Sequence, residues 1–423
     1  MAMPKIIISL VCLIVMDKRL EYFSGFHRQC RTCFHRLVVC VVLFALTFPV
    51  LAQELVFSAK VMGPVSNIYS YSAGSFEERN SKNSLKKITE NIRWRDIDAD
   101  ISSQGFVVFS SNREADESID ISRSDEAFDL YLYRGDSTSL RSLTATPQDE
   151  MSPKFSPDGT RVAFIRERKT LVVLALGSVN ERVQFEAEEI LDFDWSPDGK
   201  SLAVAARNQK RGEILLLECT RDCLQQRASI SELASFLRQS GVQDHSVAQG
   251  GCAACGSAVT LAWSPTGDRL AYVFHPDTPA ARSLWIMEMT GDPVSSRATV
   301  PLQLSAQTHQ VQDAPSWSRD GQSLLYAALV DYRFHYDESR HRKVYEGSMQ
   351  VFIAGLDGKR AALTDKQVAA HAPVFMDSDR VAYLQAEDLS AREYALVIRN
   401  LADASEQRIF DGVARGSGLA VRP

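Results

Sequence analysis

Short apolar runs return along this chain at intervals of about 40–70 residues: Val107-Val-Phe109, Val162-Ala-Phe164, Leu202-Ala-Val204, Leu270-Ala-Tyr272, Leu324-Leu-Tyr326 and Val381-Ala-Tyr383. Most follow one turn motif, which reads Phe155-Ser-Pro-Asp-Gly159, Trp195-Ser-Pro-Asp-Gly199, Trp263-Ser-Pro-Thr-Gly267 and Trp317-Ser-Arg-Asp-Gly321. Runs this short, rich in β-branched and aromatic residues and bounded by Pro/Asp/Gly, read as strands. The turn has a physical basis. Proline presets φ, Asp bonds the backbone ahead of it, and Gly takes the positive φ that swings the chain into the next strand. Asp158, Asp198 and Asp320 are therefore turn residues before they are candidate acids.

Around each turn the pattern predicts four strands. The first ends on the aromatic (Phe155, Trp195, Trp263, Trp317, Phe375) and the second is the run above. The third reads Leu130-Tyr-Leu-Tyr133, Leu171-Val-Val-Leu174, Ile214-Leu-Leu-Leu217, Leu284-Trp-Ile-Met287, Val351-Phe-Ile353 and Leu396-Val-Ile398; the fourth is weakest, as in Leu140-Arg-Ser-Leu-Thr144 and Ala361-Ala-Leu-Thr364. Units of this size cannot bury a face alone and must stack on their neighbours. Six copies run from about 91 to 413, one of them degenerate around Ile101-Ser-Ser-Gln-Gly105. A seventh is predicted from both ends: Leu55-Val-Phe-Ser58, Asn67-Ile-Tyr-Ser-Tyr71 and Leu85-Lys-Lys-Ile-Thr89, with Leu419-Ala-Val-Arg-Pro423 as the first strand. The expectation is an all-β, seven-bladed propeller over residues 53–423, closed by a C-terminal inner strand that leaves no open sheet edge.

The [Trp/Phe]-Ser-Pro-Asp-Gly turn, with an apolar second strand and a fourth strand ending Leu-Thr, resembles the TolB-type, WD-like propeller repeats of exported bacterial proteins. The resemblance covers about residues 54–423 and is specific for repeat type, not for function. TolB itself carries an N-terminal α/β domain before a six-bladed ring. Here seven repeats follow the leader directly, so TolB's envelope role does not transfer residue by residue.

The N-terminus adds an address. Leu37 to Ala52 is an apolar run of 16 residues behind Arg28, Arg31 and Arg36, and Val50 and Ala52 suit the −3 and −1 positions of a signal-peptidase site. Residues 1–52 are expected to be a cleaved signal peptide with Met16 as an alternative start, giving a periplasmic or secreted chain from Gln53 without stable membrane insertion. His27, Cys30, Cys33 and His35 fall in that leader, so their zinc-like spacing carries no expectation. Of 47 Lys/Arg and 53 Asp/Glu, six and two lie in residues 1–52, leaving 41 against 51 and a net charge of −10. That balance argues against a general nucleic-acid binder.

Chemistry-bearing residues gather in long segments opposite the uniform turns: 110–128, 275–282, 330–348 and the insertion at 218–258. Loops on a rigid scaffold carry binding, and Tyr332, Phe334 and Tyr336 are the binding candidates. In the insertion, Cys219 and Cys223, with Cys252 and Cys255, fit either two disulfides or a tetrahedral zinc site; an oxidising address favours disulfides. A helix is predicted over 229–240, capped by Ser231 with Leu233, Phe236 and Leu237 on one stripe. His309 and His371 precede first strands and are the residues through which a metal-dependent lyase or hydrolase would work. No Gly-x-Ser-x-Gly elbow, His-Glu-x-x-His or phosphate-binding glycine loop is present. The sequence therefore points to a non-enzymatic, cofactor-free propeller binding a protein of the cell envelope. A propeller lyase or hydrolase and a ligand-sensing accessory domain stand as alternatives.

Overall fold

A run such as Leu202-Ala-Val-Ala-Ala206 is apolar at every position because both of its faces are covered, and all five residues are buried. The computed structural model describes residues 53–73, 84–113, 127–135, 140–177, 181–208, 211–219, 228–230, 256–276, 281–289, 301–339, 341–414 and 416–422. Among these every regular element is a strand, and neighbouring strands pair almost entirely antiparallel.

Four meanders of four strands stand as separate sheets. The first comprises Asp96–Ile101, Val107–Ser111, Asp129–Tyr133 and Arg141–Ser142; the second Glu150–Phe155, Arg161–Arg166, Thr170–Ala175 and Glu181–Glu186. The third comprises Glu189–Trp195, Ser201–Asn208, Arg211–Glu218 and Ala228–Ile230; the fourth Gly256–Trp263, Arg269–Pro276, Ser283–Glu288 and Leu302–Gln303. The remaining strands join in one thirteen-stranded sheet whose joints are single bridges, Met349↔Ala369 and Ala59↔Val413. At its end Leu419–Val421 pairs with Gln53–Met62 through Leu55↔Val421, Val56↔Ala420 and Phe57↔Leu419.

The helix expected over 229–240 is corrected where the structure describes it. Ser229 and Ile230 belong to a strand paired with Arg211–Glu218, through Leu215↔Ser229 and Ile214↔Ile230. That pairing satisfies the edge of the third strand, which a helix here would leave open. Residues 231–240, and Cys223, Cys252 and Cys255 of the insertion, lie outside the described residues.

The core is a series of clusters between consecutive sheets. Ile165, Val173 and Phe185 of the second sheet meet Phe193, Trp195 and Val204 of the third; Tyr272 and Trp285 of the fourth meet Ala203, Ala205 and Ile214 of the third. Between the closing strands and the first sheet lie Val56, Ile68, Phe109 and Tyr131, with Ala420 against them. Two motif tryptophans add a directional bond. Trp195 Nε1 donates to the Lys154 carbonyl at 3.2 Å and Trp317 Nε1 to that of Ala262 at 2.9 Å, each on the preceding first strand. Truncating either to Ala would cost about 3–5 kcal/mol, as for buried aromatics generally.

The turns are built alike. Ser156 Oγ donates to Asp158 Oδ1 at 2.5 Å and accepts from the Arg161 amide at 3.0 Å, while Asp158 Oδ1 accepts from the Thr160 amide at 3.0 Å. Ser196 with Asp198 and Ser318 with Asp320 repeat this network. In the fourth sheet Thr266 takes the Asp position and Asp268 takes over the bond to Ser264. Gly199 closes its turn at φ +67°, and a Cβ there would stand 3.5 Å from Pro157 of the preceding turn. Successive turns thus pack side by side, which explains the uniformity of that face.

Candidate functional site

One strand pair outgrows its sheet. Ser323–Asp337 and Arg342–Gly355 run 15 and 14 residues, where their counterparts Arg161–Arg166 and Thr170–Ala175 run six each. Beyond Val330↔Ser348 the two continue as a two-stranded ribbon to Asp337↔Arg342. A bulge marks the departure, because Asp331 and Tyr332 together oppose Gly347. Asp331 takes φ +55° and Gly347 φ +98°, and a Cβ on Gly347 would fall 2.6 Å from the Val330 carbonyl oxygen. Only glycine fits that crossing.

The segment 330–348, which reads as a loop in sequence, is therefore mostly strand. Its alternation of aromatic and charged residues is a strand pattern exposed on both faces. Phe334 and Tyr336 lie two apart on one face, 50% and 52% exposed, whereas Tyr332 sits in the bulge and is half-buried. The other face carries charge: Arg333 stands opposite Glu346, and His335 Nδ1 lies 4.0 Å from Glu346 Oε1. Asp337 Oδ1 accepts from the Ser339 amide at 3.0 Å and hydroxyl at 2.6 Å, which shapes the tip.

A second group of polar residues lies along the first strands. Asp98 Oδ2 accepts from the Ser152 amide, Asp100 Oδ2 from Phe155, Asp192 Oδ2 from Leu261, Asp194 Oδ2 from Trp263 and Asp313 Oδ2 from Ala372, at 2.7–3.2 Å. Each joins one first strand to the next, Asp313 from the stretch between Gln310–Val311 and Ser316–Trp317. Lys154 reaches Asp192 Oδ1 at 3.3 Å and Asp194 Oδ1 at 3.7 Å. Burial alone would lower the Lys154 ammonium, but those two carboxylates outweigh it and hold it charged above the usual range. Burial pushes Asp100 up to about 6 against the Phe155 amide bond, and raises Asp98 and Asp194 as well. These groups bind first strand to first strand; nothing here pairs a nucleophile with a base.

At the opposite end of the first strands, acids clamp arginines at or just past the ends of the second strands. Asp96 receives Arg113 Nη2 on both oxygens at 2.7 Å, and Glu150 Oε1 receives Arg166 Nη2 at 2.6 Å. Glu189 is shared by Arg207 at 3.2 Å and Arg168 at 2.5 Å, beside a cleft of about 390 Å³ that Glu167, Lys169 and Glu188 complete. Sequence reasoning missed these pairs; the signal was an acid opening a first strand and an Arg 16–18 residues later.

The candidate histidines are not brought together. His309 Nδ1 lies 3.0 Å from the Tyr326 hydroxyl and its ring 4.2 Å from that of Phe352, and burial lowers its pKa. His371 is buried in Ala369–Phe375, with Nδ1 3.5 Å from Asp313 and its ring edge-on to Tyr394. Among the described residues no group of three or more His, Cys, Asp and Glu is arranged to hold a metal. Cys219 follows the strand Arg211–Glu218, buried against Trp195 and Leu217.

Comparison with known proteins accords with this architecture. No family model matches the chain. A stretch of 57 residues is 40% identical to the protein TolB homolog of Chlorobium luteolum, a match spanning 13% of this chain and 13% of that relative. A putative 6-phosphogluconolactonase from Bacteroides uniformis superposes with a TM-score of 0.54 at 13% identity, covering 87% of this chain and 99% of the other. A puromycin hydrolase complexed with PGG gives a TM-score of 0.54 at 14% identity, over 87% of this chain and 53% of its own. At those identities the likeness is one of fold. The chain has a TolB-like β-propeller fold.

Proposed function

We propose that this chain is an exported, non-enzymatic propeller of seven blades that binds a protein of the cell envelope through the ribbon at 330–348. The observation that carries the reading is the ribbon itself, a sheet extension that holds Phe334 and Tyr336 half-exposed away from the core. Aromatic anchors on a pre-ordered element are what protein interfaces use, because little side-chain entropy is lost on contact. The blade count draws support from the four separate sheets and from the two single bridges that divide the thirteen-stranded one. The N-terminal strand Gln53–Met62, with Leu419–Val421 on its edge, supplies the closing blade. Export rests on the apolar run at 37–52, with cleavage after Ala52. In an oxidising compartment Cys219, Cys223, Cys252 and Cys255 are disulfide-bonded rather than zinc-bound.

The test uses residues 53–423 as bait in envelope extract, beside a variant with Tyr332, Phe334 and Tyr336 all replaced by Ala. The expected result is a stoichiometric partner captured by the wild type and lost by the variant, at an unchanged melting temperature. Equal capture by both would overturn the ribbon as the binding element.

A further inference from the structure

Ile92 stands 73% exposed, the highest value among the described large apolar residues, and its turn is tightly bonded. Asn91 Oδ1 accepts from the Arg93 and Trp94 amides at 3.1 and 2.7 Å, which folds the chain into an Asx turn. Asn91 Nδ2 donates to Asn67 Oδ1 at 2.6 Å and Asp96 Oδ2 at 2.9 Å, and Asn67 Nδ2 donates to the Asn91 carbonyl at 3.2 Å. Asn67 and Asp96 are fully buried. The Ser66 amide donates to the Trp94 carbonyl at 3.2 Å, and the Arg95 amide to Asn112 Oδ1 at 2.7 Å. Buried polar side chains thus fix a turn whose apex is an isoleucine in water.

Around that apex apolar and cationic groups alternate. Trp94 is half-buried, and Arg93 and Arg95 are exposed. The hairpin between Gln53–Met62 and Val65–Ala73 arrives beside them through the Ser66↔Arg95 bridge, and it adds exposed Val61 and Pro64. Arg95 lies over the Phe128 ring at 5.5 Å, and neither guanidinium has a carboxylate partner among the described residues. The acids flanking the turn are engaged elsewhere, Glu90 by Lys87 at 3.2 Å and Asp96 by Arg113 at 2.7 Å. Both segments are connections at the end of the sheets away from the Ser-Pro-Asp-Gly turns, one from a second strand to a third and the other from a fourth to a first. A protein hot spot is led by an aromatic or arginine anchor. Here an aliphatic side chain leads, an indole sits behind it and arginines flank both, which is the composition of an interfacial anchor. The net charge of −10 opposes an anionic surface, but screening confines that opposition to about 8 Å at physiological salt.

We infer that the turn at 91–95, with the hairpin at 61–64, docks peripherally on an anionic phospholipid surface. Ile92 enters the acyl boundary, Trp94 sits at headgroup level, and Arg93 and Arg95 meet lipid phosphates. The inference stands apart from the ribbon and from any protein it binds.

The experiment uses the chain from Gln53, which holds every described strand, with vesicles of phosphatidylglycerol and phosphatidylethanolamine and, beside them, vesicles of phosphatidylcholine alone. Cosedimentation should find the protein on the anionic vesicles and about tenfold less on the neutral ones. Trp94 emission should shift to the blue on binding, because Trp195, Trp285 and Trp317 are buried beforehand, and Trp94→Phe should abolish the shift. Ile92→Ser and Arg93→Glu should each weaken binding by about five- to tenfold at unchanged melting temperature, since neither side chain bonds the fold. The variant with Tyr332, Phe334 and Tyr336 replaced by Ala should bind vesicles as the wild type does. No cosedimentation at about 1 mM lipid, roughly ten times what half-binds a single myristoyl chain, would overturn the inference. So would undiminished binding by Ile92→Ser, or binding lost only in the ribbon variant. Loss of envelope-protein capture in Arg93→Glu, with no vesicle binding by the wild type, would overturn it too and make the turn a protein contact.

Discussion

Removing Leu419–Pro423 strips one edge from Gln53–Met62 and leaves the Ala59↔Val413 bridge and the Ser58 amide bond to Ser417 to hold the chain's end to its beginning. The loss can be worked from the contacts. Three residue pairs, with the Arg422 amide donating to the Glu54 carbonyl at 2.8 Å, amount to about four backbone hydrogen bonds. Arg422 Nε and Nη2 also donate to the Ser103 carbonyl at 2.9 and 2.7 Å, fastening the strand to the turn of the first sheet. Six such bonds contribute about 3–9 kcal/mol net of water exchange. Apolar cover over Leu419, Val421, Val56 and Phe57 adds about 3 kcal/mol. Freeing five ordered residues returns roughly 5–8 kcal/mol of chain entropy. At their midpoints these contributions leave a destabilisation of about 2–3 kcal/mol, or roughly 3–4 °C in a chain of this size. Urea unfolding followed by tryptophan fluorescence measures it. Arg422→Ala alone should cost about 1–2 kcal/mol, through its two bonds to Ser103. A truncated chain with wild-type midpoint and slope would refute the role of this strand in closing the structure.

Two further outcomes follow from the carboxylates. Asp198→Ala removes the acceptor of Ser196 Oγ and of the Lys200 amide and should cost about 0.5–2 kcal/mol, the scale of a lost cap, measured by thermal melting. The Ser196 bond holds the Asp198 carboxyl below its usual range; at Asp158 burial works the other way, and the bonds from Ser156 and Thr160 outweigh it. A depressed folded value means stability that is present above about pH 4 and lost as pH falls through the folded value, so the Asp198→Ala deficit should vanish in strong acid. Asp100 has the opposite sign. With its folded value raised to about 6, the native state binds the extra proton, and stability from this group declines as pH rises from about 4 to 6. Asp100→Asn keeps an acceptor for the Phe155 amide, so it should melt higher than wild type above pH 6, by about 1–3 kcal/mol, and at pH 4 the gain should be absent. A lower melting point at pH 7 would show that the charge itself is needed.

Much of the fold could be read from local chemistry. The second strands announce themselves because both of their faces are covered, so Val162-Ala-Phe164 and Leu324-Leu-Tyr326 carry no polar position. Turns were legible because Ser, Asp and Gly each have one job within five residues. The ribbon was not. Asp331-Tyr-Arg-Phe-His-Tyr-Asp337 alternates as a strand does, but neither face is buried, and hydrophobic patterning reports burial before it reports backbone. The bonds from Asp192 and Asp194 to Leu261 and Trp263 were hidden for another reason: their partners lie 69 residues away, and no local pattern marks them. Ser229 and Ile230 read as helical from a capping residue and an apolar stripe, yet pairing with Leu215 and Ile214 decided their state.

Hydrogen–deuterium exchange of residues 53–423 alone and with the captured envelope partner maps the working surface directly. The account predicts slowed exchange confined to residues 330–348, with the turns at 156–159, 196–199, 264–267 and 318–321 unchanged. Protection at those turns, with the ribbon exchanging as freely as before, would contradict it and make the plain face the binding one.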